Sequence, residues 1–155
     1  MTWHETLTAV DRVRAHTHVD VQSRLDADLE RRLAGYADAS PDRIGARLQE
    51  LDGEWDIERY LEANAASLAA AGIVAGGLFS RRLLLLPLAV MLFLLQHAVQ
   101  GWCPPLALFR RRGVRTRREI DLERYALKVL RGDLGDQQLA GQQRVDSLLA
   151  AAARD

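Results

Sequence analysis

The sequence predicts an all-α protein, a two-span transmembrane helical hairpin with amphipathic cytoplasmic helices on both flanks. Two runs without any Asp, Glu, Lys or Arg, 63–80 and 83–109, lie almost side by side in a chain of 155 residues. The second run exceeds the roughly 20 residues with which a helix crosses the hydrocarbon layer of a bilayer. The flanks hold every acidic and basic residue except Arg81 and Arg82, and their aliphatic residues recur at helical spacing.

The front region, residues 1–54, is predicted to be an acidic cytoplasmic region of helices. Residues 1–62 carry 14 acidic and 8 basic side chains. One amphipathic helix is indicated by aliphatic residues at four-residue spacing: Val21, Leu25, Leu29 and Leu33. A second is bounded by Ser40 as N-cap, by Pro41 at the first helical position and by Gly53 after the last periodic residue. Both helices need an apolar partner surface, which the sequence does not specify.

The middle region, residues 55–109, is predicted to be the hairpin, with spans at about 63–80 and 83–103. The first span is rich in alanine and glycine, which gain little from transfer into lipid, so its stability depends on packing. Gly72 and Gly76 form a G-x-x-x-G, which lets a neighbouring backbone approach closely. A buried helix of a soluble bundle is the alternative, but thirteen consecutive residues at 83–95 lack any hydrogen-bonding side chain. The membrane interpretation is therefore favoured.

Basic residues predict the orientation of this hairpin. The connection between the spans is too short for anything but a tight turn, so both flanks should lie on one side of the membrane. That connection contains Arg81 and Arg82, whereas nine arginines lie in the flanks near the span ends: Arg47, Arg59, Arg110, Arg111, Arg112, Arg115, Arg117, Arg118 and Arg124. Because cytoplasmic segments are enriched in basic residues, both termini are expected in the cytoplasm.

The back region, residues 110–155, is predicted to be a basic cytoplasmic helical tail, with 7 acidic and 11 basic side chains. Thr116 is the expected N-cap of its main helix and Gly132 the expected C-cap. Residues 136–155 are expected to form a weak helix or to fray. Next to a span, the arginine-rich segment favours anionic lipid headgroups as its partner. No nucleic-acid-binding motif accompanies it, so a nucleic-acid partner is not expected.

Candidate chemistry is confined to the end of the second span. Gln96, His97 and Gln100 form a possible intramembrane polar patch. We expect the glutamines to hydrogen-bond across to Asn64, to Ser67 or to a second hairpin, and His97 to cap the same patch. Cys103 is the sole cysteine, so no disulfide forms within one chain, and the nearby arginines are a possible cause of a lowered thiol pKa. No catalytic motif is present, and the H-x-H at positions 16–18 lacks further ligands. We therefore expect no enzyme activity, cofactor or metal.

The near-repeat D-[IL]-E-R-Y, at 56–60 and 121–125, predicts a clasp between the two cytoplasmic flanks. Antiparallel spans bring both copies to the same face of the membrane. The expected cross-pairs are Glu58 with Arg124 and Arg59 with Glu123. No longer repeat accompanies the motif, so a duplicated fold unit is not indicated.

These observations leave three functions open. The leading one is a non-enzymatic membrane hairpin that acts as an anchor, scaffold or oligomerisation module, with a cytoplasmic protein as a possible partner. The alternatives are a membrane-associated thiol or persulfide carrier that uses Cys103, and a small-solute path lined by Gln96, His97 and Gln100 in an oligomer of hairpins.

A family resemblance rests on three segments and the short turn between the spans. The segments are EWDIERYLEANAASLA, LLQHAVQGWCPP and RTRREIDLERYALKVLRGD, which fall within residues 39–133. Together they resemble a family of small bacterial inner-membrane proteins of unknown function, related to the two-helix membrane domain fused to some rhodaneses. The resemblance implies a bacterial inner-membrane location and a hairpin that forms homo-oligomers. No rhodanese domain accompanies the hairpin in this sequence, so sulfurtransferase activity is not implied.

Overall fold

The computed structural model describes residues 3–133, and its regular structure within that range is entirely helical. The predicted all-α class is therefore confirmed, while the helix predicted within 136–155 lies outside the described residues. The α-helices are α1 (Trp3–Val10), α2 (Arg12–Ala15), α3 (Val19–Ala34), α4 (Pro41–Gly53), α5 (Ile57–Leu78), α6 (Leu85–Gln100), α7 (Pro104–Arg111) and α8 (Arg117–Arg131). A 3-10 turn, Arg81–Leu84, connects α5 to α6.

Helix ends follow the capping residues of the sequence. The hydroxyl of Ser40 accepts a hydrogen bond from the Arg43 amide, and α4 begins at Pro41 as predicted. At α8, the Thr116 hydroxyl and the Glu119 carboxylate each accept the other residue's backbone N–H, which completes a capping box. Gly132 ends α8 in the left-handed conformation, with φ of 82°. These boundaries of α4 and α8 are confirmed.

Helices α5 and α6 form an antiparallel hairpin held by very close packing at two glycines. A Cβ atom added at Gly72 would lie 2.6 Å from Cδ of Pro87, and one added at Gly76 would lie 2.5 Å from Cδ2 of Leu84. Both distances are far below van der Waals contact, so a larger residue at either position would force its neighbour to move. The G-x-x-x-G face of α5 therefore packs against α6 and against the 3-10 turn before it, both in the same chain.

The outer surface of the hairpin is apolar and exposed. Helix α5, and α6 together with the 3-10 turn before it, are long and apolar enough to cross a membrane. Only 17% of the most apolar stretch of the first segment and 11% of that of the second is buried. Phe79 is 82% exposed and Leu85 is 66% exposed. The core helix of a soluble protein would instead be mostly buried.

The flanks on either side of the hairpin pack together as one helical domain. Helix α8 contacts both α3 and α4. Their shared core contains five buried aliphatic residues: Ile44, Leu48, Leu51, Ile120 and Leu127. A second core joins this domain to the base of the hairpin and contains Val13, Ile57, Leu61, Cys103 and Leu106. Residues that lie far apart in sequence thus meet at the open end of the hairpin.

The second hairpin helix ends earlier than the predicted span. Gly101 follows α6 in the left-handed conformation, with φ of 74°, and the close approach of Arg12 leaves no room for a Cβ atom there. Two prolines then begin α7 at Pro104. Cys103 therefore lies beyond the end of the helix, in extended backbone.

Candidate functional site

The centre of the flank domain is a buried network of ion pairs around Glu119. One oxygen of its carboxylate accepts a hydrogen bond from Arg14 at 2.9 Å, and the other accepts one from Arg110 at 2.7 Å. Arg14 also donates to Asp26 at 2.8 Å, while Arg110 donates to the side-chain oxygen of Gln22 at 2.8 Å. The network therefore ties the start of the chain, α3, α7 and α8 to one another.

Glu119 remains ionised in this setting. Burial alone would raise its pKa, but the hydrogen bond and the charge of Arg110, with further hydrogen bonds from Thr116 and Gln22, outweigh that effect and hold the pKa at about 2. A carboxylate with so low a pKa makes a poor general base near neutral pH. The arrangement is therefore suited to holding helices together.

A second network surrounds Glu123, one turn further along α8. Its fully buried carboxylate pairs with Arg115, with Arg47 at 3.0 Å and with Arg32 at 3.3 Å. Arg115 also pairs with Glu54 at 2.6 Å. Burial raises the pKa of Glu123, but the hydrogen bond from Arg47 and the charge of Arg115 outweigh it, and the pKa lies below its ordinary value. Sequence reasoning missed both networks, because their partners are up to 105 positions apart.

Glu58 and Arg59 of the predicted clasp make other contacts than the expected ones. Glu58 contacts His97, with 2.8 Å between Oε2 and Nε2, and the guanidinium of Arg59 lies over the ring of Trp55. Asp56 caps α5, so Glu58 and Arg59 occupy its first turn beside α6 and Trp55. The expected partner Glu123 lies instead on the buried face of α8.

The other half of the clasp also finds a different partner. Arg124 pairs with Asp52 at 2.8 Å and donates to the carbonyl of Leu51 at 3.2 Å. The amide of Ile57 donates to the carbonyl of Arg115 at 2.9 Å. The flanks therefore do meet, but the predicted pairs Glu58–Arg124 and Arg59–Glu123 are wrong.

The three residues of the predicted polar patch lie in different surroundings. His97 is buried, Gln96 is half-buried and Gln100 is exposed. Asn64 donates to the carbonyl of Tyr60 at 2.8 Å, and Ser67 donates to that of Ala63 at 2.7 Å, so both side chains bond within α5. The expected bonds across the hairpin are thus replaced by bonds to the preceding turn, a pattern typical of small polar side chains in helices.

Cys103 is an apolar core residue in this fold. It is 3% exposed and packs among Val13, Ile57 and Leu106. Burial raises the pKa of its thiol, outweighing the hydrogen bond from the Leu106 amide, and the charge of Glu58 adds to the rise. The direction is opposite to the one expected from the arginine run, because burial of the thiol is the largest contribution to its pKa.

At the base of the hairpin a cavity of about 440 Å³ opens between four helix ends. It is lined by the start of α2, the start of α5, the end of α6 and the start of α8, with His97 and Glu58 on its wall. Within residues 3–133, no group of three or more His, Cys, Asp and Glu side chains is arranged to hold a metal ion.

Comparisons of the chain with family models, curated proteins and solved structures found no match. The resemblance to the two-helix membrane domain fused to some rhodaneses therefore stays a prediction.

Proposed function

We propose that this chain is a non-enzymatic membrane hairpin, which anchors one helical domain at the cytoplasmic face of a membrane and presents it as a scaffold. In this proposal α5 and α6 cross the bilayer, and the domain formed by both flanks remains in the cytoplasm. The observation that carries this proposal is the exposed apolar surface of the hairpin. A soluble pair of helices would bury most of such a surface.

The position of the flank domain supports the proposed orientation. Both flanks pack at the open end of the hairpin, so they lie on one side of any membrane that the hairpin crosses. The arginine-rich segment 110–118 also lies at this end, whereas the opposite end carries only Arg81 and Arg82. Trp102 and Leu108 are exposed beside the base of α6, where interfacial side chains are expected.

The scaffold role is supported by the chemistry of the buried polar groups. Glu119 and Glu123, the most deeply buried acids within residues 3–133, are paired with two and three arginines, respectively. Networks of this kind, which join several helices, fix the relative positions of those helices. The buried thiol of Cys103 and the exposed position of Gln100 give no particular support to the thiol carrier or to the solute path.

Membrane fractionation tests this proposal. The full-length chain should sediment with membranes, resist extraction by alkaline carbonate and dissolve only in detergent. Replacing exposed Leu88 and Leu92 together by Arg should reduce the membrane-bound fraction at least tenfold, because each charge at mid-span costs about 2.5 kcal/mol or more. The matched control, Gln49→Arg with Glu50→Arg in the flank domain, should leave that fraction unchanged.

A chain that stays soluble and monodisperse without detergent would contradict the proposal. Equal membrane binding by the span variant and by the flank control would contradict it as well.

A further inference from the structure

An apolar groove runs along one face of the hairpin and reaches α7. Its volume is about 400 Å³, and its walls belong to α5, α6 and α7. None of the residues within 3–133 that line it carries a charge. On α6 the lining residues extend from Leu86 to Leu94, which is about 12 Å of helix at the usual rise per residue. The groove is therefore elongated in the direction of the hairpin, a shape that suits a hydrocarbon chain.

The groove is open to the surroundings of the hairpin. Leu68 of α5, Leu86 and Phe93 of α6, and Leu108 of α7 line it and are all exposed. If α5 and α6 cross the bilayer, as proposed above, these side chains face acyl chains. The membrane then supplies the apolar material that fills the groove.

Helix α7 carries an arginine on the same face that lines the groove. Leu108 and Phe109 line the groove, and Arg112 follows them at spacings of four and three residues. The backbone of Arg112 is still helical, with φ of −80° and ψ of 0°, so the three residues share one face of α7. Arg110 lies on the opposite face and is buried. A positive charge therefore lies one turn beyond the apolar wall.

The basic residues at this end of α7 are not neutralised within residues 3–133. Arg111 and Arg112 are exposed, and neither pairs with an acidic side chain in that range. Arg24 of α3 joins them, because its guanidinium donates to the carbonyl of Arg111 at 2.8 Å. Arg110 and Arg115, from the same arginine-rich segment, are instead buried in the two ion-pair networks. The end of α7 thus offers positive charge to a ligand.

We propose that this groove binds one acyl chain of an anionic phospholipid, whose phosphate lies against Arg112, with Arg111 and Arg24 beside it. The planar guanidinium binds two oxygens of a phosphate at once. A ligand that joins hydrocarbon to negative charge matches both parts of the site. A second copy of the hairpin would fill the groove but would leave these arginines without a counter-charge. The assignment rests on the proposed membrane function, which places the groove in the bilayer.

Native mass spectrometry of the full-length chain, released from nonionic detergent micelles, tests the site. The probes are phosphatidylglycerol, phosphatidylcholine with the same acyl chains, and glycerol 3-phosphate, which has no acyl chain. Phosphatidylglycerol should bind about fivefold more tightly than phosphatidylcholine, as expected for one basic residue at an anionic headgroup. Equal affinity for the two lipids would overturn the proposal, as would glycerol 3-phosphate that binds as tightly as phosphatidylglycerol.

Two variants separate the charged part of the site from the apolar part. Arg112→Gln should remove most of the preference for phosphatidylglycerol, because the headgroup loses its partner while the groove is unchanged. Arg112 is exposed, so its replacement should leave the fold intact. Ala65→Phe places a ring in the groove and should weaken the binding of both lipids in equal measure.

Each variant has a matched control outside the groove. Arg118→Gln removes an exposed charge from the same arginine-rich segment, and Ala66→Phe adds the same ring to an exposed position of α5. Both controls should bind lipid like the native chain. If Arg118→Gln lowers the preference as much as Arg112→Gln does, the basic surface acts as a whole and the proposed site is wrong.

Light scattering of the chain in micelles decides between a lipid and a second copy. A dimer that is abolished by Ala65→Phe but retained by Ala66→Phe would assign the groove to a second copy and overturn the proposal. A monomeric native chain that retains phosphatidylglycerol would support it.

Membrane fractionation distinguishes this site from the proposed anchoring function. Arg112→Gln and Ala65→Phe should remain in the membrane fraction, since neither adds a charge to a span. A native chain that stays out of membranes but prefers phosphatidylglycerol in micelles would contradict the anchoring function and support the site. A native chain that enters membranes but binds both lipids equally would contradict the site alone.

Discussion

Glu119 makes two kinds of contact, and only one of them is predictable from neighbouring residues. Its place three residues after Thr116 belongs to a local capping pattern, which a short stretch of sequence contains completely. Its pairs with Arg14 and Arg110 depend on how distant helices pack. The position of a helix cap was therefore predictable, whereas the buried network was not.

The same distinction between local and distant contacts explains why the predicted pairs of the clasp are wrong. Glu58 and Arg124 have complementary charges, and the two near-repeats that contain them were expected at the same face of the membrane. Their choice of partners depends on helix rotation: α8 buries the face with Glu119, Glu123 and Leu127 and leaves Arg124 toward Asp52. Sequence spacing identifies residues that share a face, but it does not identify the face that is buried.

Glu119 predicts a loss of stability in acid. Its pKa is about 2 in the folded chain, below the ordinary value of 4.5. The stabilisation is therefore fully present above about pH 4.5 and is lost as the pH falls through 2. At about 1.4 kcal/mol per pKa unit, the lost stability is about 3 kcal/mol. Urea unfolding of the micelle-bound chain, followed by tryptophan fluorescence across this pH range, measures it.

Glu119→Gln should remove the part of this pH dependence that Glu119 carries, whereas Glu123, whose pKa is also lowered, keeps its own part. The variant should cost about 3–5 kcal/mol at neutral pH, because it leaves buried arginines without their partner. Asp121→Asn, an exposed change on the same helix, should retain the native pH profile and cost less than about 1 kcal/mol. A native pH profile in Glu119→Gln would show that Glu119 does not carry the effect.

At the scale of helices, Gly72 and Gly76 of α5 form a glycine stripe that predicted a packing surface but not its partner. A G-x-x-x-G is compatible with a second copy of the chain or with a helix of the same chain. Pro87 of α6 approaches Gly72 closely, and Leu84 at the end of the 3-10 turn approaches Gly76. The partner of the two glycines is therefore α6 with the turn before it. The short turn at 80–82 made this outcome physically reasonable, because it keeps α6 beside α5.

Gly72→Ala should destabilise the hairpin by about 1–3 kcal/mol, because its Cβ would overlap the rigid ring of Pro87. Gly77→Ala is the matched control on the same helix, since its Cβ would meet no atom within 4 Å. Titration of the micelle-bound chain with sodium dodecyl sulfate measures both variants. Equal losses would contradict the packing, and unchanged stability with a lower dimer fraction in Gly72→Ala would assign the stripe to a second copy.

At the scale of the whole molecule, composition predicted the apolar middle region, but it did not predict that the flanks on either side pack together as one domain. The two long runs without charge can be read directly from the sequence, and a helix that crosses a membrane requires such a run. The joint domain depends on contacts between segments separated by the entire hairpin, such as Arg115 with Glu54. An acidic front and a basic back nevertheless anticipate such pairing, since opposite charges favour contact between the flanks.

The most direct test of the account is the accessibility of single cysteines in intact cells that express the chain. In a Cys103→Ala background, Arg81→Cys marks the turn between α5 and α6, and Gln49→Cys marks the flank domain. With a membrane-impermeant maleimide, Arg81→Cys should react in intact cells, and Gln49→Cys should react only after permeabilisation. Labelling of both positions only after permeabilisation, or of both in intact cells, would contradict a hairpin that crosses the membrane with both flanks in the cytoplasm.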